Sequence, residues 1–134
     1  MRTWQALLFT LLLTVTPLTG LFAQKESGTV PKYDLSTEAK FKGVIDEVHE
    51  RHCPISGGMG SHFNLKLSDG KVLEVHLATT KFVKNYDLVF SKGDEVEVTG
   101  SKVTFEGADA ILAREVKRGN DDFVFRDPQG KPIW

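Results

Sequence analysis

From Phe41 onward the chain is written in short alternating runs of apolar and polar residues, the period-two signature of half-buried strands. Phe41-Lys42-Gly43-Val44-Ile45-Asp46-Glu47-Val48 predicts a first strand. Phe63-Asn64-Leu65-Lys66-Leu67 and Lys71-Val72-Leu73-Glu74-Val75-His76-Leu77 predict a second and third, joined through Ser68-Asp69-Gly70. Thr79 or Thr80 then caps a short helix with Phe82, Tyr86 and Val89 or Phe90 on one face. Gly93-Asp94 opens a fourth strand, Glu95 to Thr99, and Gly100 marks a bulge before Val103-Thr104-Phe105. A fifth strand runs from about Ala110 to Lys117. A last hairpin, Phe123-Val124-Phe125 to Ile133-Trp134, turns at Asp127-Pro128-Gln129-Gly130, with proline and glycine where a tight turn wants them.

The segment before Phe41 has a different texture. Met1-Arg2, the apolar run Ala6 to Leu13 and the small residues approaching Ala23 form a charged, an apolar and a cleavage region, so residues 1–23 are expected to be a signal peptide. Thr10, Thr14, Thr16 and Pro17 make the run too polar to span a membrane. Residues 24–39 read as a flexible lead-in and residues 40–134 as one small domain. The expected address is the periplasm or the exterior. The absence of any Asn-x-Ser/Thr acceptor favours a bacterial origin.

Three strands, a short helix and two more strands is the order of an OB-fold barrel, here with an extra C-terminal hairpin. Gly93-Asp94-Glu95-Val96-Glu97-Val98-Thr99-Gly100 resembles the fourth-strand signature of many OB-folds. The leader, the short barrel and the closing Arg126-Asp127-Pro128-Gln129-Gly130-Lys131-Pro132-Ile133-Trp134 are similar to small exported bacterial OB-fold proteins. The resemblance spans Phe41 to Trp134 and implies an all-β, five-stranded barrel. It supplies no catalytic residue.

Candidate chemistry concentrates in one window. All four histidines, the only cysteine and the only methionine after Met1 fall between His49 and His76. Imidazole, thiolate and thioether are the soft or borderline ligands of copper and zinc. Alternation in the second and third strands sharpens this. Pairing Leu65 with Leu73 and Phe63 with Val75 across a three-residue turn brings His62 opposite His76, close enough for both imidazoles to reach one ion. These positions are expected on the outer face, which together with the loop after the first strand is the usual OB-fold binding surface. That loop carries His52, Cys53 and Met59. The metal set expected is therefore His52, Cys53, Met59, His62 and His76, for copper or zinc.

Other chemistry finds less support. The formal net charge of −1 leaves no basic excess for nucleic acid, and the alternation turns Phe63 and Phe105 inward, where they cannot stack on bases. Cys53-Pro54 after His52 resembles a thiolate haem contact, but covalent haem is excluded by the missing Cys-x-x-Cys-His. The glycine-rich stretch Ile55 to Ser61 lacks the Lys-Ser/Thr of a phosphate loop. A Cys–His nucleophile would need an orienting carboxylate that no motif supplies. Trp134 is expected to plug one barrel opening. The reading is a non-enzymatic binding module for a metal ion. The alternative is a metal-independent module for an envelope protein, peptide or small molecule.

Overall fold

Residues 29–134 are described by the structure, a computed structural model; the expected leader, residues 1–23, and the start of the lead-in lie outside the described residues. The described residues form an all-β fold with one short α-helix. Its elements are β1 (Glu38–Cys53), β2 (Gly58–Leu67), β3 (Val72–Thr79), α1 (Thr80–Asn85), β4 (Glu95–Phe105), β5 (Ala108–Arg118) and β6 (Asp121–Val124). Hydrogen bonding orders them β3-β2-β1-β4-β5-β6, and a parallel pairing of β3 with β5 through Val75 and Ile111 closes the first five into a ring. No described helix is long and apolar enough to cross a membrane.

β1 is the long member, and its length explains the ring. Its first half pairs with β4 and its second half with β2. A bulge at Asp46, between Ile45 and Glu47, bends the strand where it passes from one partner to the other. Inward positions then alternate as the pattern predicts: Ile45, Phe63, Leu65, Val75, Val98, Ile111 and Val116 are all at most 1% exposed. Burying a side chain of this kind is worth about 1.5–3 kcal/mol, so these residues dominate folding.

The bulge expected at Gly100 is present, with the β4–β5 register shifting between Thr99 and Gly100. Glycine is required there because a Cβ would run into the backbone carbonyl of Leu112 and the Ile111 side chain. Backbone atoms in a paired strand cannot retreat. Gly100→Ala is therefore expected to cost about 2–3 kcal/mol, read as a lower midpoint in urea unfolding. An unchanged midpoint would mean that β4 and β5 are not in this register.

Two expectations are corrected. The helix ends at Asn85, and Asp87 turns the chain at φ 50°. Phe82 packs toward Phe125, and the Tyr86 ring lies against Phe82 at 4.9 Å, although Tyr86 is largely exposed. Beyond the helix it is Phe90 that enters the core, while Val89 faces solvent. The last hairpin also shrinks. Phe123 and Val124 belong to β6, paired with β5, and the return arm makes one bridge, Arg126 to Pro132. Pro132 has no N–H with which to extend a ladder. The Asp127–Gly130 turn itself forms, with Gly130 N donating to Asp127 O at 2.9 Å.

Strand β1 begins three residues before Phe41, and the chain ahead of it is anchored. Asp34 N donates to Ser101 Oγ at 3.1 Å, and the Tyr33 hydroxyl donates to Glu38 Oε1.

Candidate metal centre

The first strand does not end near Val48, as the alternation suggests, but continues to Cys53, and the expected loop collapses to a tight turn over residues 54–57. The Cys53 carbonyl accepts from Ser56 N, Gly57 N and Ser56 Oγ at 3.1–3.2 Å. Met59 and Gly60 lie in β2, not in a flap. Gly60 has a local purpose, because a side chain there would press on Ser56 Oγ and on the His62 ring.

This hairpin brings Cys53 to the histidine pair. His62 faces His76 across β2 and β3, as predicted, just beyond a bulge between Ser61 and His62. Their rings meet edge to face, with centroids 4.5 Å apart. Cys53 Sγ lies 3.5 Å from His76 Nδ1. One donor atom from each of Cys53, His62 and His76 lies within 4.8 Å of the other two. Tetrahedral zinc holds such donors roughly 3.3–3.6 Å apart, so side-chain rotations closing about 1 Å would assemble the site.

His52 and Met59 do not join this group. Alternation along β1 sends His52 to the face opposite Cys53, and Met59, its cross-strand partner, is exposed beside it. The exposure expected of the site is also corrected. Cys53, His62 and His76 are 3%, 1% and 4% exposed. The Phe105 ring packs edge-on against His76 at 5.3 Å, and Ile55 and Trp134 border the same spot. Trp134 thus lies beside the cluster. The three donors open onto a small cavity of about 10 Å³, room for one water-sized occupant.

Glu74 ties the cluster to its surroundings. Its Oε1 is 2.8 Å from His76 Nε2 and 2.7 Å from an Arg51 nitrogen, and its Oε2 is 3.1 Å from His49 Nε2. The His76 approach is at ion-pair distance but off the line of the N–H, an electrostatic contact rather than a hydrogen bond. The neighbouring His76, Arg51 and His49 hold the Glu74 carboxyl well below the usual carboxylate range against the cost of its burial. With Glu74 at Nε2, His76 presents Nδ1 to the thiol, the arrangement by which outer carboxylates orient metal-ligating imidazoles. The His49 ring stacks on His62 at 5.4 Å. Burial, reinforced by the charge of His76, pushes His62 down to about 4, and its Nδ1 has no hydrogen-bond partner among the described residues. A neutral imidazole with a free buried nitrogen is in the state that coordinates a metal.

Glu74, Arg51 and His49 were not among the expected site residues, although the signal existed. Residues two apart on a strand share a face, which places Glu74 with His76, and His49 and Arg51 with Cys53. A larger cavity among the described residues, about 650 Å³, lies elsewhere, bordered by Gly43, Leu67, Val96 and Lys117. It has no histidine or cysteine in its walls, and its Lys42 lies 3.5 Å from Glu97.

The geometry defines a small all-β protein with a buried thiol–imidazole cluster. Residues 37–123 match the MamS/MamX magnetosome protein family, and the chain belongs to that family. The matched stretch includes Cys53, Glu74 and both histidines of the cluster. No curated protein matches the chain.

Proposed function

We propose that this protein is an exported, non-enzymatic OB-type barrel that binds one soft or borderline metal ion, zinc or copper, through Cys53, His62 and His76. The observation that carries the reading is the set of three buried donors within 4.8 Å of one another. Cysteine with two histidines is a zinc or copper set, and Glu74 supplies the outer carboxylate that such sites use. Ring closure through β3 and β5 supports the OB assignment, and the Met1-to-Ala23 pattern supports export to the periplasm. Burial would shield the lone thiol from oxidation in that compartment. Family membership adds a magnetosome-associated role for the bound metal.

The line Glu74–His76–Cys53 also has the order of an orienter, a base and a nucleophile. Against an enzyme stands the size of the cavity beside the thiol, about 10 Å³, far below what an organic substrate needs. Slow alkylation of Cys53 in the folded metal-free chain is the result expected of a ligand rather than a nucleophile.

Equilibrium dialysis of the reduced chain from Gln24 to Trp134 against zinc, and against copper(I), should give one ion bound per chain. The double variant His62→Ala, His76→Ala should bind none. Equal uptake by that variant would sink the reading.

A further inference from the structure

Two residues near the C-terminus border the same small cavity as the three metal donors, and both are left with an unpaired N–H. Arg126 is 5% exposed, and its guanidinium lies between the rings of Tyr33 and Trp134, at 5.4 and 5.5 Å. One of its nitrogens donates to Gly130 O at 2.9 Å. Its Nε has no acceptor, and no carboxylate lies within ion-pair distance among the described residues. Trp134 Nε1 is likewise buried without an acceptor among the described residues. Leaving such donors dry and unpaired is costly, more so for a charged group. Glu74, the carboxylate of the cluster, is already shared among Arg51, His49 and His76.

The cavity these groups share, about 10 Å³, has room for about one small occupant. Three protein donors leave a tetrahedral ion one open position. A divalent ion with one thiolate and two neutral imidazoles keeps one positive charge. A single monoanion would neutralise that charge and give both orphan N–H groups an acceptor.

We propose that the fourth position of the metal is taken by a small exogenous monoanion of the halide class, held by Arg126 Nε–H and Trp134 Nε1–H. This inference rests on the metal-site reading above. Oxyanions the size of phosphate are excluded by the space. Copper(I), neutral once bound by the thiolate, would not recruit the anion, so the site described is one for a divalent ion. Arg126 and Trp134 lie beyond the stretch shared with the family, and the anion position is argued from this chain's own residues.

The test uses the chain from Gln24 to Trp134 loaded with cobalt(II), whose visible bands report its coordination. Adding chloride should shift the bands, and perchlorate at equal ionic strength should not. Trp134→Phe keeps the ring and removes the N–H, and should weaken chloride binding about 10-fold with cobalt stoichiometry unchanged. Arg126→Gln should weaken it at least as much. No cobalt uptake would overturn the metal site and the anion position together. Uptake with bands indifferent to chloride, or chloride binding equal in Trp134→Phe and the parent, would overturn the anion position alone.

Discussion

Replacing the Cys53 thiol with a hydroxyl, Cys53→Ser, is expected to weaken zinc binding by at least about 100-fold while leaving the fold in place. Structural zinc contributes about 10–16 kcal/mol, shared among its ligands, so losing one donor removes about 3 kcal/mol, or two orders of magnitude in affinity. The hydroxyl does not ionise near neutral pH, so it cannot replace the thiolate. It is close in size and can hydrogen-bond His76 Nδ1, which now lies 3.5 Å from Sγ, so the cost to folding should stay near about 1 kcal/mol. Glu74→Gln provides the contrast. It removes the charge facing His76 and Arg51 but keeps an oxygen acceptor, and its effect should be nearer 10-fold, the lower end for outer partners of metal ligands. Competition with a chromophoric chelator measures both variants. Full zinc affinity in Cys53→Ser would remove the thiol from the site, and the ion could then be held only by the histidines.

The histidine pair was legible because side-chain alternation leaves little freedom of register. Phe63 and Leu65 face Val75 and Leu73 in the core, and a shift of one residue would turn Asn64 and Glu74 inward in their place. The Ser68-Asp69-Gly70 turn, with Gly70 at φ 85° and Leu67 N donating to Lys71 O, fixes the same alignment locally. The reach of β1 and β2 was not legible. Gly58, Met59 and Gly60 have poor strand propensity, and they are extended only because Cys53, His52 and Arg51 pair with them. That pairing carries Cys53 toward His76 and, by the same alternation, takes His52 and Met59 away. Burial of the cluster was hidden for another reason. Phe105 from β4 and Trp134 from the C-terminus cover it, and no local pattern reports contacts so distant in sequence.

The cluster's burial has a cost that pH should expose. Acidifying the metal-free protein is expected to destabilise it in two stages, because two of its groups are held in states that protons oppose. His62 titrates at about 4 in the folded chain, against 6.5 for an ordinary imidazole, since burial and the charge of His76 disfavour its protonation. Between those pH values the unfolded chain binds more protons than the folded one. Stability is therefore full above about 6.5 and falls as the pH drops toward 4. The whole shift would be worth about 3 kcal/mol, and allowing for solvent screening leaves about 2 kcal/mol. The second stage belongs to Glu74, held low chiefly by His76 and then by Arg51 and His49. Its contribution is present above the ordinary carboxylate range and is lost as the pH falls below it. Urea midpoints measured from pH 7 to pH 3 should trace both stages, the first lowering the midpoint by about 1–2 M. His62→Leu, similar in volume and unable to titrate, should remove the first stage and keep the second. An unaltered decline between pH 6.5 and 4.5 in that variant would assign the proton uptake to another group and deny His62 its neutral, metal-ready state.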